Sequence, residues 1–186
     1  MKPTLAAALA AAALASLPAR ATAGDTYLVL KGGYYGPTKD IAYAQATGTT
    51  LDPKFYGEIG AGTNLVILGV EVTAGYMSSS TGVPGLTVEV SSIPVLLTAK
   101  LRIPVPVITP YAELGAGAYF NTVEITGLPS EKHTIFGFHV GAGIDLRISS
   151  LLLGLEARYL SADAGYPGVT LRVDGVTVTG NVGFYL

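Results

Sequence analysis

The sequence predicts an all-β protein, an eight-stranded antiparallel transmembrane β-barrel of up-and-down topology. Three observations predict it. The chain is apolar, with 49% hydrophobic residues, only 13% charged ones and a mean hydropathy of +0.48, where soluble proteins carry about 25% charge. After the first two dozen residues there is no charge-free apolar run of the ~20 residues that a spanning helix needs. The most apolar stretch, Ile93 to Ile108, contains Lys100, Arg102 and three prolines. Finally, segments of about ten residues alternate in polarity between turn-rich connections, the pattern of membrane-spanning strands. Strands are what remains, because a backbone in lipid must satisfy its hydrogen bonds internally.

The first element lies outside the barrel. Lys2, the apolar run Leu5 to Leu17, Pro18 and the Ala21-Thr22-Ala23 site follow in the order of a secretory signal peptide, removed after export. The run is too short to span a bilayer. The expected domains are a signal peptide over 1–23, cleaved after Ala23, and a single outer-membrane β-barrel domain over 24–186. There are no cysteines, which excludes disulfides, thiol chemistry and cysteine-ligated metals. With a net charge of −2, nothing basic points to a nucleic-acid partner.

Eight strands follow, at about 26–36, 54–65, 67–77, 89–102, 110–121, 134–148, 151–162 and 173–186. The connections alternate in length. Pro37–Pro53, Ser78–Val88, Thr122–His133 and Asp163–Arg172 read as long loops, and Val66, Ile103–Thr109 and Ser149–Ser150 as short turns. Outer-membrane barrels have long extracellular loops and short periplasmic turns, so both termini are expected on the periplasmic side.

Period-two geometry divides each strand into two faces. In the sixth, Phe136, Phe138, Val140, Ala142, Ile144, Leu146 and Ile148 oppose Gly137, His139, Gly141, Gly143, Asp145 and Arg147. In the seventh, Leu151, Leu153, Leu155, Ala157 and Tyr159 oppose Gly154, Glu156 and Arg158. A soluble, lipocalin-like barrel also alternates, with its apolar face inside, but it needs a well-charged exterior. Here the polar face is mostly Gly, Thr and Ser, which suits a lumen with room only for side chains. The inward cations are expected to be Lys31, Lys100, Arg102, Arg147 and Arg158. The inward anions are Glu58, Glu71, Glu113, Asp145 and Glu156, with His139 joining the same network. Five of each would neutralise a closed interior, where an unpaired charge is costly. Tyr34, Tyr35, Phe55, Tyr56, Tyr76, Phe120, Phe136, Tyr159, Phe184 and Tyr185 lie near strand ends, where membrane barrels carry aromatic girdles.

Three stretches resemble a known group. Tyr27-Leu-Val-Leu-Lys-Gly-Gly-Tyr34 is similar to a first strand, Ser92-Ile-Pro-Val-Leu-Leu-Thr-Ala-Lys-Leu-Arg102 to a fourth, and Val176-Thr-Val-Thr-Gly-Asn-Val-Gly-Phe-Tyr-Leu186 to a C-terminal strand. The group is the outer membrane protein beta-barrel family, small barrels resembling the membrane domain of outer-membrane protein A. The resemblance implies a bacterial outer-membrane location, surrounding outer-membrane lipids as partners, and a last strand read by the outer-membrane assembly machinery. That strand usually ends on Phe; here it ends on Leu186, with Phe184 two residues earlier. The resemblance covers the barrel alone, so no peptidoglycan-binding activity is expected of these residues.

Little in the chain points to chemistry. Some eight-stranded outer-membrane barrels modify lipid A, and their deacylases resemble a His-x-Ser pattern. His133 is followed by Thr134-Ile135 and His139 by Val140-Gly141, and nucleophilic catalysis needs a base within reach of its nucleophile. The glycine pairs open no helix, so no phosphate loop is expected, and neither a metal cluster nor a cofactor is indicated. The leading expectation is a non-enzymatic membrane barrel with a structural or surface-interaction role and a closed, ion-paired interior. The alternatives are a narrow pore or conduit for small molecules, a lipid A-modifying enzyme, and a soluble periplasmic barrel.

Overall fold

The computed structural model describes residues 26–37, 54–83, 86–103, 105, 107–125, 130–166, 169–172 and 174–186. The proposed signal peptide and the connection after Pro37 lie outside the described residues. The strands are β1 (Thr26–Pro37), β2 (Lys54–Leu65), β3 (Leu68–Val83), β4 (Leu86–Arg102), β5 (Ile108–Ile125), β6 (Glu131–Ile148), β7 (Leu151–Tyr166), β8 (Val169–Arg172) and β9 (Gly175–Tyr185).

Each strand from β1 to β7 pairs antiparallel with the next, and β1 closes the sheet on β9 from Tyr27↔Tyr185 to Pro37↔Gly175. β8 and β9 act as one strand: β7 pairs with both in continuous register, from Asp163↔Arg172 to Leu160↔Gly175. The barrel is therefore eight-stranded. Following facing residues once around runs Thr26, Thr63, Val70, Ala99, Leu114, Val140, Tyr159, Val176 and back to β1 at Gly36. That stagger of ten residues tilts the strands, as closure of a barrel requires.

The three later long loops are shorter than the sequence predicts. β3 and β4 continue as a ladder to Val83↔Leu86, β5 and β6 from Thr122↔Lys132 to Val123↔Glu131, and β7 turns into β8. Stretches such as Ser78-Ser79-Ser80-Thr81 and Thr122-Val123-Glu124-Ile125 are rich in polar and β-branched residues, and these pair well as strands beyond the apolar belt. One ladder is interrupted. β3–β4 pairing skips the step around Pro94, between Ala74↔Val95 and Met77↔Ser92, because proline has no N–H to donate.

The two faces separate cleanly. β9 alternates buried and exposed residues along its whole length. Outward, Leu30, Ile59, Leu97, Leu101, Leu114, Phe138, Leu155 and Val178 are all more than half exposed. An apolar belt around the whole circumference far exceeds what a soluble monomer exposes. The apolar side is outside, so the lipocalin-like arrangement is overturned.

Candidate functional site: a charged cluster inside the barrel

The lumen is stratified. Toward the long-loop end, Tyr35, Tyr56, Met77, Leu96, Tyr119, Ile135, Leu160 and Ala162 pack as one apolar layer. Toward the short turns, Tyr27, Val29, Leu152 and Tyr185 form a second, where the Tyr27 and Tyr185 rings tilt against each other at 5.6 Å. Between the two lie the charges.

Three cations face four glutamates there. Lys31 Nζ stands 2.7 Å from Glu71 Oε1 and 2.8 Å from Glu156 Oε2. Lys100 Nζ stands 2.9 Å from the other Glu71 oxygen. Arg158 reaches three carboxylates at once: Nε to Glu113 at 2.8 Å, Nη1 to Glu58 at 3.2 Å and Nη2 to Glu156 at 2.6 Å. Several of these contacts are chords across the barrel, as between Arg158 on β7 and Glu58 on β2, strands that do not pair; Lys100–Glu71 joins neighbouring strands and Arg158–Glu156 lies within β7. Nearer the turns, Arg102 Nη1 pairs with Asp145 Oδ2 at 2.9 Å. All of these residues are nearly inaccessible. Each ion loses several kcal/mol of hydration on burial, and only dense pairing offsets that.

Tyrosines complete the cluster. The Tyr27 hydroxyl donates to Glu71 and that of Tyr111 to Glu156, each at 2.9 Å, and Tyr56 donates to Glu58. The Lys100 ammonium also lies over the Tyr111 ring, 4.6 Å from its centroid. Inward glycines vacate the space these side chains occupy. A Cβ on Gly143 would stand 2.4 Å from the Tyr111 hydroxyl oxygen, one on Gly62 2.6 Å from that of Tyr27, and one on Gly141 2.9 Å from Glu113 Oε1.

Of the residues expected in the interior network, Lys31, Glu58, Glu71, Lys100, Glu113, Glu156 and Arg158 meet in one cluster, and Arg102 and Asp145 form the pair beside it. His139 is buried, and its Nε2 lies 3.0 Å from Thr98 Oγ1. Arg147 is a correction. It is exposed at the short-turn rim, where its Nε donates to the Ser149 carbonyl and its guanidinium stacks 4.0 Å above the Tyr185 ring. It shares a face with Asp145 but is the last residue on that face before the turn, where a long side chain reaches the exposed rim. The expected balance of five and five becomes, among these residues, four buried cations against five buried anions.

Tyr27, Tyr56 and Tyr111 were missed as cluster members, although period two places them beside Lys31, Glu58 and Glu113. Tyr35, Tyr56 and Tyr185 likewise leave the expected girdle and face inward. Tyr34, Phe55, Tyr76, Phe136, Tyr159 and Phe184 remain outside. No group of three or more His, Cys, Asp or Glu among the described residues is arranged to hold a metal ion.

A closed barrel with an apolar belt outside and a polar, side-chain-filled interior is a transmembrane β-barrel. The chain belongs to the outer membrane protein beta-barrel domain family, whose model matches residues 4–184. No curated protein sequence matches it. Among solved structures, it is similar in fold to Neisserial surface protein A, with a TM-score of 0.65 at 16% identity over 87% of this chain and 97% of that one. The outer membrane protein OprG of Pseudomonas aeruginosa gives 0.53 at 14% over 88% and 98%. Ail, the attachment invasion locus protein of Yersinia pestis, gives 0.52 at 16% over 88% and 100%. These neighbours are outer-membrane barrels, and none of the matches supports a lipid A-modifying activity.

Proposed function

We propose that this chain is a non-enzymatic barrel of the bacterial outer membrane, exported by a signal peptide cleaved after Ala23. Its interior is a closed structural core, and its contacts with other molecules are made at the long-loop end. Outer-membrane lipids surround the belt, and the assembly machinery reads Val176 to Leu186. One observation carries this reading: side chains from non-neighbouring strands bond across the lumen, as in Arg158 to Glu58 and Lys31 to Glu156, beneath an apolar layer. A conduit needs a continuous polar path, and both layers interrupt it. The histidines support the non-enzymatic part. His139 lies inside the barrel against Thr98, away from any lipid on the outer surface, and His133 faces Asn121 across a ladder.

The test is conductance. Purified protein in planar bilayers is expected to give no stepwise current; discrete, reproducible steps would overturn the closed-core reading in favour of a narrow pore.

A further inference from the structure

Two tight turns at the short-turn end share a backbone conformation and differ in chemistry. Val66 opens the β2–β3 turn at φ 53° and Ser149 opens the β6–β7 turn at φ 56°. This left-handed region is unfavourable for a β-branched residue, whereas a short polar residue tolerates it better. The strained position nevertheless carries a valine that is 84% exposed. Its neighbours are apolar as well. Leu65 and Ile67 flank it, and Ile103, Val105 and Val107 occupy the next connection, all at least 46% exposed. The Arg102 amide donates to the Ile67 carbonyl at 2.7 Å and joins the two turns into one rim. Across from the β2–β3 turn the rim is more polar: Arg147, Ser149 and Ser150 are exposed, with Ile148 exposed among them, and the Arg147 amide donates to the Val107 carbonyl at 3.3 Å.

Depth does not account for the difference. Val66 lies ten residues below the outward Tyr76 on β3, and Ser150 nine below the outward Tyr159 on β7. At ~3.4 Å per residue and a tilt of ~40°, these are drops of about 26 and 23 Å. The apolar band of an outer-membrane barrel is ~25 Å tall, so both turns reach its lower border. The apolar rim is also continuous with the belt above it, through Leu68, Val70 and Leu101.

We propose that the rim over β2–β5 is an interfacial lipid-contact surface. It sinks into the acyl-chain boundary of the inner leaflet, while the Arg147–Ser150 side stays in the aqueous headgroup zone, and the barrel inclines accordingly. The proposal rests on the membrane reading above and adds an orientation to it.

The chain has no tryptophan, so a single introduced indole reports its own surroundings. Ile67→Trp, Val105→Trp, Ser150→Trp and, on the belt, Leu114→Trp are reconstituted in phosphatidylcholine vesicles with and without lipids brominated at shallow acyl positions. The indoles of Ile67→Trp and Val105→Trp are expected to emit at shorter wavelength than that of Ser150→Trp and to be quenched at least about twofold more strongly. Either apolar-rim variant suffices if the other does not fold. Equal quenching of the apolar-rim variants and Ser150→Trp, with Leu114→Trp quenched, would overturn the orientation alone. An unquenched Leu114→Trp would overturn the membrane reading together with it. Shielding of the Ile67→Trp indole that grows with the protein-to-lipid ratio, without bromine quenching, would assign the rim to a second copy and overturn the proposal.

Discussion

The two halves of the lumen are built by the same strands and held together differently. Above, Leu96, Tyr119, Ile135 and Leu160 touch through apolar surface. Below, Arg158, Lys31 and Lys100 are fixed by directed bonds to four carboxylates. Removing a member of the apolar layer leaves a cavity, and its cost depends on how well the neighbours relax. Removing a member of the charged layer leaves a partner ionised and dry, at a cost of about 3–5 kcal/mol. The halves also depend on each other, because the apolar layer excludes the water that would otherwise weaken the charge pairs beneath it. The charged layer ties non-neighbouring strands together across the lumen, as in Lys31 to Glu156 and Arg158 to Glu58.

This contrast is open to test by urea unfolding in phospholipid bilayers, followed by the gel shift between unboiled and boiled protein. The largest loss is expected for Arg158→Leu, about 3–5 kcal/mol, because Glu58, Glu113 and Glu156 lose a shared partner. Adding Glu113→Gln should recover part of that loss, since one orphaned charge is removed with it; strictly additive losses would mean that the cluster does not act as a unit. Leu96→Ala should cost about 2–4 kcal/mol as a plain cavity, and the same Glu113→Gln should not rescue it. The smallest effect is expected at the rim. Arg147→Ala should cost less than Arg158→Leu, because the Arg147 side chain is exposed at the rim and contacts screened by water are weaker than those of a buried ion. A loss matching that of Arg158→Leu would place Arg147 functionally within the cluster despite its exposure.

Much of the barrel was legible because period two is a local property. The alternation of Val176 through Leu186 identifies the two faces of β9 without any knowledge of its neighbours, and the same holds for Lys31, Glu58 and Glu156 as inward residues. The tyrosines of the cluster were legible in principle by the same count, but Tyr56 was drawn into the girdle by its closeness to a strand end, and Tyr27 and Tyr111 carry no charge to mark them as members. The extended hairpins were not legible, because Ser- and Thr-rich segments suit loops and solvated strands alike, and pairing across the hairpin decides between them.

The sequence by itself determined the fold class, the strand order and which side chains share a face, because these follow from the pleat, the turn residues and the low charge of the chain. The tertiary structure alone decided who pairs with whom. The ten-residue stagger brings Arg158 level with Glu58, one hundred positions away in the chain, and places Asp145 inside the layer but Arg147 at the water's edge. Strand tilt and closure set height within the barrel, and height is a property of the closed sheet that no single strand carries.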